Sequence, residues 1–275
     1  MSNNAPPAGK ISGKNRPFEK IVADIQHAVF AVMRTRPEPQ GGFRHWVLGS
    51  GFFVSSKIFL TCAHVLMHPA NSHIDGDRYD LISIAGSIRV VWSIQNAIVG
   101  NNVHIFQNAD LALLSVDGNQ ERPYLPLEYG DIPVGAEIGV AGYPIPQLQV
   151  INGQLDLTGL IYRVAKDVLT ATYTANFNTN TGATLENIPV IEVNFLFVPG
   201  NSGGPIFSAT NGRVIGYVQG FRTHKVEEKV ETASPDLRLP EGMSSSYILS
   251  NSALYSIGVR LILARSYLES LGVTL

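Results

Sequence analysis

Pro199-Gly200-Asn201-Ser202-Gly203-Gly204-Pro205 is the stretch of this sequence whose residue types point most directly to chemistry. Glycine costs conformational entropy wherever the backbone is held in one shape, so glycines on both sides of one serine call for a reason. Gly203 and Gly204 let the backbone pass without a Cβ, and Gly200 is free to take a positive φ. A turn of this kind aims successive N–H groups into one concavity beside the Ser202 hydroxyl, which makes a nucleophile with an anion hole next to it. A Gly-Pro surface turn with an incidental serine is the plain alternative.

A serine hydroxyl is weakly nucleophilic near neutral pH, so the chemistry requires a histidine base and a carboxylate to orient it. The chain holds seven histidines, His27, His45, His64, His68, His73, His104 and His224. His64 stands apart, because the run from Gly49 to Val65 reads as an apolar strand, a polar turn and a second apolar strand ending on this histidine. Asp110 is the candidate carboxylate, at the mouth of the apolar strand that begins at Leu111. His104 lies near it in sequence, in a loop setting that favours a solvated side chain. His64, His68 and His73 invite a zinc reading, since two histidines four apart can share a helical face. No glutamate of the metalloprotease kind accompanies them, and Asp75 and Asp77 sit in a polar turn, so no metal is expected.

Thr61-Cys62-Ala63-His64-Val65, Ala109-Asp110-Leu111-Ala112-Leu113-Leu114 and the heptapeptide around Ser202 resemble, in this order, the three catalytic boxes of the chymotrypsin-like (trypsin-fold) serine proteases. The nearer likeness is to the HtrA/Deg branch, and it covers residues 20 to 270 or so. The resemblance implies a serine endopeptidase in which His64, Asp110 and Ser202 are catalytic and the Gly200 and Ser202 amides bind the oxyanion. It also implies a fold, all-β, of two six-stranded antiparallel β-barrels with a short N-terminal helix, a C-terminal helix and the site between the barrels. By position in that fold, Leu196 would floor the pocket for the residue before the cleaved bond and Tyr217, Val218 and Gln219 would wall it. Those side chains carry no carboxylate, so apolar residues are expected there rather than Lys or Arg. The alternative is that they alternate into the barrel core. Two departures count: Asn201 stands where digestive-type members carry an aspartate, and no PDZ module follows the likeness before Leu275. Asn201 argues against activation by N-terminal clipping.

The elements that must position these residues follow from the pattern along the chain. Residues 1–17 are polar and rich in proline and glycine and are expected to be a disordered arm. Apolar spacing over Phe18 to Val32 predicts a short helix leading into a first strand. Runs at Leu81 to Ala85, Ile88 to Val99 and Leu111 to Val116 suit a first barrel over about residues 18–128. A second barrel, about 129–250, is expected from Ile138 to Gly142, Leu148 to Ile151, Leu157 to Val164, Val168 to Tyr173, Val190 to Val198, Ile206 to Phe207 and Arg213 to Gln219. Asn176 to Asn187 and the charged Thr223 to Met243 are expected to be loops, the second a gate over the cleft. Leu254, Ile257, Leu261, Leu263, Leu268 and Leu271 predict an amphipathic helix over 254–271 stopped by Gly272.

Composition sets the remaining expectations. At 275 residues, 45% apolar and 15% charged, the chain can bury a large core, and a net charge of −2 gives no case for nucleic acid. One cysteine, Cys62, rules out an intrachain disulfide and suggests a reducing, cytoplasmic compartment; it reads as a small buried side chain rather than a nucleophile. No run approaches the ~18 apolar residues of a membrane span. The expected partners are a protein or peptide substrate and a regulatory protein, with no nucleic acid, membrane or cofactor. Three rivals remain. Gly200-Asn201-Ser202-Gly203-Gly204 fits the nucleophile turn of α/β-hydrolases, but Pro205 opposes the helix that must follow it and only His224 lies downstream. A trypsin-fold pseudoenzyme or binding module, held inactive until a partner binds, and an esterase on the same fold are the others.

Overall fold

A computed structural model describes the backbone of residues 9–67, 75–85, 88–100, 102–118, 121–144, 149–151, 154–156, 160–178, 184–195, 197–231 and 246–273. The first unit opens with helix α1 (Phe18–Ile25), strands β1 (Val29–Pro37), β2 (Phe43–Phe53) and β3 (Ile58–Cys62) and the short helix α2 (Ala63–Met67). It continues with β4 (Arg78–Ala85), β5 (Ile88–Ser93), helix α3 (Gln95–Val99), β6 (Val103–Phe106) and β7 (Leu111–Ser115). These seven strands form one antiparallel sheet in the order β5-β4-β1-β2-β3-β7-β6. The second unit is made from β8 (Glu137–Gly142), the hairpin β9 (Gln149–Ile151) and β10 (Gln154–Asp156), β11 (Arg163–Asn178), β12 (Thr184–Val193), β13 (Pro205–Ser208), β14 (Val214–Glu231) and β15 (Ser246–Arg260). Six of them close an antiparallel barrel in the order β11-β12-β15-β14-β13-β8, and helix α4 (Arg265–Ser270) ends the chain. The architecture is the expected all-β pair of sheets with few short helices, seven strands in the first and six in the second.

Aromatic rings fill the first unit. Phe53 meets Phe59 at 5.1 Å, Trp92 at 5.4 Å and Phe30 at 5.6 Å between ring centroids, mostly edge to face, the arrangement the ring quadrupole favours. Arg122 closes this end: its guanidinium lies over Trp92 and Phe53 and donates to the Ser56, Val116 and Asp117 carbonyls. The barrel has its own aliphatic core, including Ile138, Val140, Leu169, Ile191, Ile206 and Ile215. The connection between the units is bonded to both, through Leu125 N–H to Phe53 and Glu128 N–H to Val214. Relative motion of the two units would break these bonds.

Several expectations are corrected by tertiary pairing. The helix over 254–271 is a strand as far as Arg260, because Ser256 to Val259 pair with β12 on one side and Ile257 to Arg260 with β14 on the other. A Cβ at Gly258 would collide with Ile206, so only a glycine permits this close approach. Only Leu261 onward leaves the sheet, as a tight turn followed by α4. The expected strand from Ile88 stops at Ser93, where the Ser93 hydroxyl accepts the Gln95 amide and α3 begins. Where they are described, the two expected loops are sheet: β11 reaches Asn178 and β12 begins at Thr184, with 179–183 outside the described residues, while β14 runs to Glu231 in register with β15. Residues 232–245, the rest of the expected gate, lie outside the described residues. Residues 9–17 of the expected disordered arm lie on the body, with Ile11 buried, its amide on the Tyr124 carbonyl and the Arg16 amide on Thr210; residues 1–8 lie outside the described residues.

Candidate active site

The base and the acid meet because two neighbouring strands end side by side. β3 and β7 pair from Ile58↔Ser115 to Cys62↔Leu111, so the next step of each chain sets Ala63 and His64 against Asp110. Ala63 N–H donates to the Asp110 carbonyl at 2.9 Å, and His64 N–H to Asp110 Oδ1 at 2.9 Å. His64 Nδ1 lies 2.6 Å from Asp110 Oδ2. A carboxylate only accepts, so Nδ1 carries the proton and Nε2 is left as the basic nitrogen.

Asp110 is held hard. It closes a 3-10 turn, Gln107–Ala109, at φ 47° and ψ 42°, left-handed backbone that a non-glycine residue enters at a cost of about 1–2 kcal/mol. Its carboxylate is 2% exposed and, besides the His64 contacts, accepts Gln219 Nε2 on Oδ2 at 2.8 Å. These three donors offset the cost of burying the carboxylate. The preceding carbonyl, Ala109, is gripped by the buried Tyr217 hydroxyl at 2.7 Å.

Ser202 sits in a loop of the other unit. Asn201 N–H bonds the Val198 carbonyl at 3.1 Å with Pro199 and Gly200 between and Gly200 at φ 96°, the pattern of a type II turn. Gly203 has φ 84°, donates to the Val218 carbonyl at 2.8 Å and leaves no room for a Cβ against Ser50 and Thr61. Ser50 N–H donates to the Ser202 carbonyl at 2.8 Å, and Ser50 Oγ to the Gly200 carbonyl at 2.6 Å. Among the described residues the Gly200 and Ser202 amides donate to no acceptor. The Ser202 hydroxyl makes a long bond, 3.5 Å, to the Gln219 carbonyl rather than to His64. Gln219 thus touches the acid with its side chain and the serine with its backbone.

The structure brings His64 and Asp110 into contact and links Ser202 to the same acid through Gln219. Leu196 lies outside the described residues. Tyr217 and Val218 are corrected as pocket walls: alternation along β14 sends the two neighbours to opposite faces and both faces are covered, so Tyr217 is fully buried against the Ala109 carbonyl and Val218 in the barrel core. Phe195 and Val198, which precede Ser202 closely in the chain, are exposed apolar side chains. Sequence reasoning missed Ser50 and the grips of Gln219 and Tyr217; the glycines either side of Ser50 were the available signal.

Cys62, His64 and Asp110 carry ligand atoms within 4.8 Å of one another. A metal would need the thiolate, yet burial pushes the Cys62 thiol well up and its Sγ donates to the Val218 carbonyl at 3.2 Å. His68 and His73 lie outside the described residues.

Residues 49–216 match the trypsin-like peptidase domain. The chain is 30% identical over 193 residues to the putative mitochondrial protease Do-like 12 of Arabidopsis thaliana, covering 69% of this chain and 32% of that protein. It is 31% identical over 176 residues to a probable periplasmic DegP-like serine endoprotease of Pseudomonas putida (strain W619), covering 62% and 28%. The chain therefore spans about a third of the length of these curated relatives. Among solved structures, the HtrA-type protease AlgW with a decapeptide has a TM-score of 0.57 at 17% identity, covering 93% of this chain and 67% of that one. An M. tuberculosis protease in its active form has a TM-score of 0.55 at 17% identity, covering 100% and 94%. Both likenesses are of fold.

Proposed function

We propose, from the premise that this chain belongs to the trypsin-like peptidase family and is related to its HtrA/Deg members, that it is a serine endopeptidase working through an acyl-enzyme. The observation that carries the proposal is the buried Asp110 carboxylate 2.6 Å from His64 Nδ1, with Gln219 bonded both to that carboxylate and to the Ser202 hydroxyl. Ser202 Oγ turns from Gln219 to His64 Nε2, gives up its proton and attacks the peptide carbonyl. Asp110 keeps the imidazole in one tautomer and stabilises its cation, while the Gly200 and Ser202 amides receive the oxyanion. His64 then protonates the leaving amine, and water hydrolyses the ester on Ser202. No metal or organic cofactor takes part.

The substrate is an extended protein or peptide with an apolar residue before the cleaved bond. Phe195 and Val198, both 38% exposed, with Phe197 buried between them, support that preference. A compartment that keeps thiols reduced, the cytoplasm, suits the single buried cysteine; among the described residues no helix is long and apolar enough to cross a membrane. A second reading, a protein held inactive until a partner binds, draws on the bond from the Ser202 hydroxyl to Gln219 instead of His64. A fluorophosphonate probe separates the two. Labelling of the wild type but not of Ser202→Ala supports the enzyme, and no labelling with or without peptide sinks it. Peptide-library cleavage dominated by cuts after Lys or Arg would overturn the apolar preference.

A further inference from the structure

Ser50 is fully buried in β2 and spends its hydroxyl and its amide on the seam between the two units. Its hydroxyl donates to the Gly200 carbonyl at 2.6 Å and accepts the Tyr143 amide at 2.8 Å. Its amide donates to the Ser202 carbonyl at 2.8 Å, and its own carbonyl accepts the Thr61 hydroxyl at 2.7 Å. We propose that Ser50 is a positioning residue for the anion hole, acting through the peptide planes of the nucleophile loop; this rests on the endopeptidase reading above.

The two amides that would receive the oxyanion lie on the 199–200 and 201–202 peptide planes. The Gly200 carbonyl belongs to the plane between them, 200–201, and the Ser202 carbonyl to the next, 202–203. Ser50 holds both of those carbonyls, so it brackets the hole from a different sheet. Each of those planes has one other hold, Asn201 N–H on the Val198 carbonyl and Gly203 N–H on the Val218 carbonyl, so Ser50 supplies the second point that fixes its orientation. Gly200 has no side chain, and glycine rotates with small penalty between positive and negative φ. At full burial no water takes over when the hydroxyl is removed, so the Gly200 carbonyl and the Tyr143 amide both lose their partner. The loop then relaxes, and displacement of about 1 Å in such a site costs on the order of 10²-fold in rate. The loss falls on the transition state, which uses the hole, and not on ground-state binding.

The test compares Ser50→Ala with Ser83→Ala. Ser83 is a second buried hydroxyl, bonded to the Gln26 carbonyl and the Tyr143 hydroxyl, and its loss removes similar bonds away from Ser202. Three quantities are measured: kcat and KM on the best-cleaved peptide, inhibition by the corresponding peptide aldehyde, which adds to Ser202 and forms an oxyanion, and binding of the peptide alcohol, which cannot. Ser50→Ala is expected to lower kcat about 10- to 100-fold and to weaken the aldehyde by a similar factor. KM and alcohol binding should stay within about twofold, and Ser83→Ala should leave the aldehyde-to-alcohol ratio unchanged. Equal weakening of aldehyde and alcohol, or unchanged kcat, overturns the proposal. If Ser50→Ala does not fold, Ser50→Cys, which keeps a weaker donor in place, should show the same split to a smaller degree; full activity in it overturns the proposal equally. A wild type that neither cleaves nor labels sinks the endopeptidase reading and this inference with it, whereas an active wild type with an indifferent Ser50→Ala sinks this inference alone.

Discussion

Gln219 Nε2 donates to Asp110 Oδ2 at 2.8 Å, across the seam between the closed barrel and the seven-stranded sheet. The same oxygen accepts His64 Nδ1, so the amide stiffens the group that orients the base. A hydrogen bond to a charged group is worth about 1.5–3 kcal/mol, and each ~1.4 kcal/mol is tenfold in rate. Gln219→Leu should therefore lower kcat/KM by about 10- to 100-fold. Gln219→Glu should fall further at neutral pH, because it replaces a donor with a second carboxylate facing the first. Kinetics of the two variants on one peptide decide this; a Glu variant as active as wild type would show that the bond does not orient the acid.

Asp110→Asn tests the tautomer. An amide can donate to Nδ1, which moves the ring proton to Nε2 and leaves no base for the Ser202 proton. A fall of about 10⁴ in kcat at neutral pH is expected, with thermal unfolding close to wild type. A loss below about tenfold would mean that Asp110 is structural only.

Tyr217→Phe keeps the ring and removes one hydroxyl. The Ala109 carbonyl then loses its partner beneath the strained turn at Asp110, which should destabilise the protein by about 1–3 kcal/mol. Denaturant midpoints at an unchanged slope are the measurement. Because the tether ends one residue before the acid, kcat should also drop while KM holds, and a purely thermal effect would count against that coupling.

Cys62 should behave as a buried thiol. Burial raises its pKa and its Sγ donates to the Val218 carbonyl, so the thiolate is scarce at pH 8 in the folded state. A disulfide reagent such as DTNB should leave the native protein unmodified and react with one thiol in denaturant. Cys62→Ser should keep a donor in place and retain activity within about threefold, the range of a ~0.5 kcal/mol perturbation. Rapid native labelling would reopen both a reactive-cysteine reading and the metal reading at Cys62, His64 and Asp110.

The triad candidates were legible in sequence because each sits in a short local signature: a strand ending on His64, a strand starting after Asp110, glycines around Ser202. What holds them was not, because those partners are remote. Gln219 follows Asp110 by 109 residues, and the Ser50 hydroxyl reaches Gly200 across 150. The charged run after Thr223 reads as a solvated loop until Ser246 to Ile257 supply the paired strand. Apolar spacing at 254–271 satisfied a helical period, and the decisive fact, pairing on both edges from Ile257 to Val259, is a property of the barrel. Position in the fold points Tyr217 and Val218 at the cleft, but the strand sends one to each face and both faces are buried, which only the packed barrel reveals.

Gly203 should be the least replaceable glycine of the nucleophile loop. Its φ of 84° is unfavourable for any side chain, and a Cβ there would overlap the Ser50 carbonyl, the Thr61 hydroxyl and the Cys62 amide. Two of those three obstacles are backbone in paired strands, Ser50 opposite Ala31 of β1 and Cys62 opposite Leu111 of β7, so they cannot move aside without disturbing that pairing. Strain and overlap together place Gly203→Ala on the order of 4 kcal/mol destabilised, a large share of the stability of an ordinary protein. Gly220, next to Gln219 in β14, is the control, since a methyl group added there would have nothing within 4 Å and its φ is not positive. Gly220→Ala should change stability by no more than about 0.5 kcal/mol. Thermal melts of the pair read the difference directly: a Gly203→Ala protein that melts with wild type would mean that the loop does not pack against Ser50 and Thr61, and the anion hole would lose the support on which its geometry rests.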